Sequence, residues 1–136
     1  MTTRTATCAC GQLSAVCEGQ PTVVACNCTW CQRRSGSPYG LGAYFKRSSV
    51  RTTGESTVFA RPAPQGRKIT NHFCPSCGST VFWFLDLRPD EVGVSVGCFA
   101  DPSFPQPARA VWTQHQHHWV RFPESAELFE RARTVT

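Results

Sequence analysis

Seven of the nine cysteines in this 136-residue chain gather into three short clusters, and no other feature constrains the fold as strongly. The clusters are Cys8-Ala9-Cys10-Gly11, Cys26-Asn27-Cys28-Thr29-Trp30-Cys31 and Cys74-Pro75-Ser76-Cys77-Gly78. Two cysteines separated by one or two residues and followed by glycine can bend around a single ion while backbone N–H groups point at the sulfurs. Zinc takes four ligands in a tetrahedron and binds thiolate sulfur well. The odd number of cysteines argues against a complete disulfide framework, and no cluster has ferredoxin spacing, which disfavours an iron–sulfur centre. The segment Met1 to Thr7 is polar and lacks the apolar stretch of a secretory signal, and the longest apolar run, Val81 to Leu85, is too short to cross a bilayer. The expected compartment is therefore the reducing cytoplasm, where clustered cysteines serve as metal ligands more often than as disulfides. Zinc is the expected cofactor.

The seven sulfurs divide in two ways. Cys8, Cys10, Cys74 and Cys77 can close one all-thiolate site, leaving Cys26, Cys28 and Cys31 to hold a second ion with an open fourth position, the arrangement of a catalytic zinc. Alternatively, Cys28, Cys31, Cys74 and Cys77 make a zinc ribbon of purely structural purpose. Spacing alone leaves both open.

The remaining sequence reads as mainly β. Short runs rich in β-branched and aromatic residues, separated by Gly, Pro, Ser and Asn, predict strands over Leu13–Glu18, Thr22–Cys26, Leu41–Lys46, Thr57–Arg61, Lys68–Phe73, Thr80–Leu85 and Glu91–Gly97. Val81 to Leu85 is apolar throughout and is expected to be buried on both faces. Thr29–Ser35 is expected to form one or two helical turns ended by Gly36, and Ser125–Arg133 a short helix capped by Ser125 with Leu128 and Phe129 inward. Arg61–Arg67 and Asp101–Pro107 are rich in proline and read as loops. No repeat or linker interrupts the chain, so residues 1–136 are expected to form a single zinc-binding domain. Apolar residues at 40% and charged residues at 17% fit a folded chain.

Charge is uneven. Residues 1–68 carry nine Lys/Arg against two Asp/Glu, and residues 69–136 five against seven. Many of the cations follow the central cluster: Arg33, Arg34, Lys46, Arg47 and Arg51. Such a patch suits a small anionic substrate or nucleic acid. No long basic extension accompanies it, so a nucleic-acid partner is not expected.

With these motifs in order, the sequence resembles the glutathione-dependent formaldehyde-activating enzyme family, which includes centromere protein V. The resemblance is carried by Cys8-Ala9-Cys10-Gly11, by Cys26-Asn27-Cys28-Thr29-Trp30-Cys31 leading to Ser35-Gly36, and by Phe73-Cys74-Pro75-Ser76-Cys77-Gly78-Ser79. Gly97-Cys98-Phe99-Ala100-Asp101-Pro102 and Trp119 extend it, so that it covers the chain from about Thr7 to Phe129. It implies a β-tent of short antiparallel sheets with little helix, stapled by a structural zinc on Cys8, Cys10, Cys74 and Cys77. It also implies a second, labile zinc on Cys26, Cys28 and Cys31 that is associated with activity.

The expected function is a carbon–sulfur lyase-type reaction that makes or breaks a thiohemiacetal between a glutathione-like thiol and a formaldehyde-like aldehyde. Arg33, Arg34 and Lys46 are candidates for holding substrate carboxylates, and Trp30, Tyr39, Tyr44 and Phe45 for walling a pocket. No catalytic residue beyond the ligands of the open zinc is assigned. Small thiol and aldehyde partners follow; a membrane partner does not, and an oligomer is compatible with the sequence. Two competing readings are a non-catalytic zinc-stabilised interaction module, and redox or metal-buffering chemistry by Cys26, Cys28 and Cys31. Cys17 and Cys98 are expected in the core. His115, His117 and His118 are expected as polar edge residues, with His115 and His117 on one strand face, and His72 as a plain strand position or a hydrogen-bond partner of a sulfur. Asp101 is expected to cap its turn.

Overall fold

Alternation of side chains along each strand sets two faces, and the chain uses both. A computed structural model describes residues 2–62 and 67–133. The strands are β1 (Thr3–Thr7), β2 (Ser14–Glu18), β3 (Thr22–Cys26), β4 (Gly40–Lys46), β5 (Val50–Thr53) and β6 (Thr57–Pro62) in the first half. They continue with β7 (Lys68–Phe73), β8 (Thr80–Leu85), β9 (Arg88–Ser95), β10 (Arg109–Val111) and β11 (Glu127–Leu128), and one helix, α1 (Thr29–Ser35), follows β3. The protein is mainly β, with a three-stranded sheet ordered β1-β2-β5 and an eight-stranded sheet ordered β11-β10-β3-β4-β9-β8-β7-β6. All pairings are antiparallel except those of β10, which lies parallel to both β3 and β11. Among the described residues no helix is long and apolar enough to cross a membrane.

On one face of the large sheet the cross-strand register brings Val23 opposite Ala43, Ala43 opposite Val94, Phe45 opposite Val92 and Phe82 opposite Val94. These side chains pack with Ala6, Leu13, Ala15 and Cys17 of the small sheet and its turn, forming the core. Burying a Val, Leu or Phe side chain contributes roughly 1.5–3 kcal/mol, so this interface stabilises the packing of the two sheets. Val81 is fully buried, and Phe82 and Trp83 nearly so, but Phe84 and Leu85 are only half-buried, so the apolar run is enclosed on both faces over its first part alone.

The other face carries Val24, Cys26, Gly40, Gly42, Tyr44, Gly93 and Trp83, by the same registers. Gly93, the cross-strand neighbour of both Tyr44 and Trp83, leaves room for the indole. A Cβ at Gly42 would sit 2.7 Å from Trp83 Cζ2, and one at Gly93 would collide with Trp83 Nε1. The indole N–H donates to Tyr44 Oη at 3.2 Å. Two side-chain-free positions on adjacent strands thus let a tryptophan lie across the sheet.

Several boundaries differ from the sequence reading. Polar Thr3–Thr7 forms a strand by pairing along its length with β2, and β5 and β10 are likewise held by partners rather than by their own pattern. The strand expected over Glu91–Gly97 is β9, which starts at Arg88 and gives way to a 3-10 turn at Val96–Phe99. Ser125–Arg133 is not a helix: Glu127 N and Phe129 N donate to Ala108 and Ala110 carbonyls, and Leu128 is exposed. A nine-residue helix is marginal alone, and pairing with β10 satisfies the same backbone groups. Arg61 and Pro62 continue β6, and residues 63–66 of the expected loop lie outside the described residues.

Candidate metal centres and the adjoining cavity

Two hairpin turns, one from each sheet, create the first cluster. Cys8 and Cys10 lie in the turn from β1 to β2, and Cys74 and Cys77 in the turn from β7 to β8. Each turn closes by a short backbone bond, Gly11 N to Cys8 O at 3.0 Å and Gly78 N to Cys74 O at 2.8 Å. Both glycines adopt positive φ, +87° and +80°, where a side chain would be strained. Backbone N–H groups of Leu13 and Ser76 then point at Cys8 and Cys74 Sγ, at 3.3 and 3.4 Å.

The four sulfurs all lie within 4.8 Å of one another. Cys8 and Cys10 Sγ are 3.6 Å apart, and Cys10 and Cys74 Sγ 3.7 Å. A tetrahedral ion with Zn–S of about 2.3 Å places its sulfurs about 3.8 Å apart, so the quartet is spaced for such an ion. Gln12 Nε2 donates to Cys74 Sγ at 3.0 Å and to Glu55 O at 2.7 Å, tying the cluster to the segment after β5. The Ser79 hydroxyl and N–H stabilise the Cys77 thiolate and hold its pKa at about 5.

The second cluster forms where β3 hands over to α1. Cys26 ends the strand, and Cys28 takes the N-cap position usually held by Ser or Asp, its Sγ accepting from Cys31 N at 3.3 Å. Gly36, at φ 69°, ends the helix. Buried Asn27 fixes the crossing: its backbone N–H and side-chain Nδ2 both donate to Val111 O at 3.0 Å. Gln32 Nε2 donates to Asn27 O at 2.8 Å and to His115 O at 3.1 Å. The three half-buried sulfurs lie within 4.8 Å of one another. Hydrogen bonds from Cys26 and Cys31 drive the Cys28 thiol strongly down, while the bond to Cys28 pushes Cys26 sharply up. Three sulfurs this close together are a donor set suited to a thiophilic cation.

These sulfurs line a cavity of about 510 Å³ on the glycine-bearing face of the large sheet. Trp30, Tyr44, Trp83 and Trp112 supply its aromatic walls, and Arg34, Arg61, Arg67 and Lys68 are its basic residues. The Arg34 guanidinium lies over the Trp83 ring at 4.8 Å, and that of Arg61 over Trp30 at 4.9 Å. Burial raises the Tyr44 phenol to about 12, so it stays protonated.

The structure brings together the seven clustered cysteines as four and three; the ribbon grouping of Cys28 and Cys31 with Cys74 and Cys77 is not formed. Arg34 and Trp30 line the cavity, whereas Arg33 and Lys46 are exposed and do not. On β4 the alternation sends Phe45 to the core and Tyr44 to the cavity. Tyr39 lines a separate, polar recess with Ser79, Ser95 and Cys98. Cys17 is fully buried, and Cys98 packs against the core. His72 Nδ1 meets Ser56 Oγ at 2.9 Å and its ring stacks on Phe82, so it contacts no sulfur. His115, His117 and His118 are exposed, and His115 sits in a 3-10 turn rather than on a strand face shared with His117. Asp101 Oδ1 accepts from Ser103 N at 2.9 Å, capping its turn as expected. Sequence reasoning missed Arg61 and Asn27, because one comes from an edge strand distant in sequence and the other is defined only by its contact with β10.

Fold and site together define a small β-sheet protein with two cysteine groups compatible with zinc, one joining two turns and one opening on a cavity. The family model described as glutathione-dependent formaldehyde-activating enzyme matches residues 3–115, and the chain belongs to that family. A search of the curated proteins finds no match. A crystal structure of a Rhodobacter sphaeroides protein is similar in fold, with a TM-score of 0.56 at 23% identity over 72% of this chain and 91% of that one.

Proposed function

We propose that the protein is a carbon–sulfur lyase-type enzyme that makes or breaks a thiohemiacetal between a glutathione-like thiol and a formaldehyde-like aldehyde. In this reading Cys8, Cys10, Cys74 and Cys77 hold a closed structural zinc, and Cys26, Cys28 and Cys31 hold a second with a fourth position free. The observation that carries it is the placement of the three-sulfur cluster in the wall of a cavity that also holds guanidinium groups and a phenol.

In the forward direction a C–S bond forms between thiol sulfur and aldehyde carbon, and the thiol proton ends on the new hydroxyl oxygen. The bound zinc would supply Lewis acidity, favouring the thiolate or polarising the aldehyde. Tyr44 accepts from the Trp83 indole, which leaves its own hydrogen free to be donated to the aldehyde-derived oxygen. Trp30 and Trp83 exclude water from the reacting pair. Arg34 offsets the negative charge of the cluster and can hold a substrate carboxylate.

The test is exchange NMR of formaldehyde with glutathione on zinc-loaded protein. Exchange faster than in buffer, and lost in Cys28→Ser, is expected. A rate equal to buffer sinks the enzyme reading and leaves the zinc-stabilised interaction module.

A further inference from the structure

Apart from the thiolates of the cysteine trio, the charges lining the cavity are one-sided. Arg34, Arg61, Arg67 and Lys68 line it, and no Asp or Glu is among its described lining residues. Two of the guanidiniums are also held in advance. Arg34 rests on Trp83, and Trp83 is itself pinned by the Tyr44 bond and by the absence of side chains at Gly42 and Gly93. A Cβ at Gly40 would come within 2.6 Å of Arg34 Nη2, so this glycine too keeps the guanidinium's place clear. Arg61 reaches from β6 over Trp30, whose other neighbour is Phe59, stacked at 5.8 Å. A guanidinium fixed on an aromatic face loses less freedom on meeting a carboxylate and offers a planar fork that matches it. An ammonium entering the same space meets four cations against the thiolates of one cysteine trio, with no carboxylate to pair with, an unfavourable balance for a further positive charge drawn out of water.

The geometry points to a ligand that is a mercaptocarboxylate, its carboxylates received by Arg34 and Arg61 and its sulfur directed to Cys26, Cys28 and Cys31, with aminothiols selected against. This rests on the proposed thiol chemistry of the cavity and adds to it the charge class of the thiol and a specificity role for Arg61. Glutathione, with two carboxylates and one ammonium, falls between the extremes.

Binding to zinc-loaded protein is measured by calorimetry, without aldehyde, for mercaptosuccinate, 2-mercaptoethanol, cysteamine and sulfur-free succinate. Mercaptosuccinate is expected to bind at least tenfold more tightly than 2-mercaptoethanol, and cysteamine more weakly than either. Arg34→Gln and Arg61→Gln are each expected to weaken mercaptosuccinate about tenfold more than they weaken 2-mercaptoethanol, with zinc content measured alongside. Cysteamine binding as tightly as mercaptosuccinate overturns the proposal, as does unchanged mercaptosuccinate affinity in both variants. The wild-type ligand series decides the matter should a variant fail to fold. Because no aldehyde is present, the charge ranking can hold in a protein that does not catalyse. Failure of the thiol reading has its own signature, succinate binding as tightly as mercaptosuccinate.

Discussion

The indole of Trp83 packs directly on the backbone of Gly93, its cross-strand partner on β9, with no space for a side chain between them. Gly93→Ala therefore forces a nearly buried ring to move, disturbing its bond to Tyr44 and the seat of Arg34. Overpacking of this kind costs about 1–3 kcal/mol. Gly97→Ala, where nothing lies within 4 Å of the new Cβ, is the control and is expected to change stability little. Urea denaturation of both variants with zinc in excess checks the contrast.

The two cysteine groups are expected to answer differently to serine substitution. On the proposed assignment Cys74→Ser would remove a ligand that joins the β7–β8 turn to the small sheet, and loss of a structural zinc forfeits several kcal/mol, so a large fall in melting temperature is expected. Cys28→Ser leaves that joint intact, so the fold should persist with one zinc fewer. Circular dichroism with native mass spectrometry reads fold and stoichiometry on each variant.

Chelator kinetics separate ligand number from exposure. Cys8 and Cys74 are buried but Cys10 and Cys77 are exposed, whereas Cys26, Cys28 and Cys31 are all half-buried, so attack through the exposed pair predicts faster loss from the quartet. A position open to an incoming ligand predicts the reverse. Zinc release to a colorimetric chelator is expected in two phases, with the fast phase absent from Cys28→Ser and the slow phase retained.

Cys17 gives a stability signature in alkali. It is fully buried, and burial raises its thiol from 9.0 to about 11. The folded state therefore keeps a proton that the unfolded chain releases between these values. Stability from this source is complete below pH 9 and falls by about 1.4 kcal/mol per pH unit as pH rises from 9 to 11. Cys17→Ala is expected to lose that component of the slope, whatever its absolute stability, in denaturation curves collected across the range.

Local chemistry was readable without coordinates. The cysteine–glycine knuckles, the helix between Thr29 and Gly36, and the strands Thr22–Cys26, Lys68–Phe73 and Thr80–Leu85 all follow from side chains acting within a few residues of themselves. What failed was pairing at a distance. Thr3–Thr7 has no apolar alternation of its own and becomes a strand because β2 lies beside it. Glu127–Leu128 carries a helical pattern yet joins β10, which offers its backbone partners.

The sequence by itself determined that seven thiols would occur in short ligand-spaced clusters, because spacing along the chain is a local property. Only the tertiary structure decided how they group, since Cys10 and Cys74 meet across 64 positions through the packing of two sheets. It also decided which cations face the cavity. Arg61 arrives on the outermost strand and rests on Trp30, while Arg33, adjacent to Arg34 in sequence, is exposed. Helix rotation and strand order fix the direction of a side chain, and neither can be read from proximity along the chain.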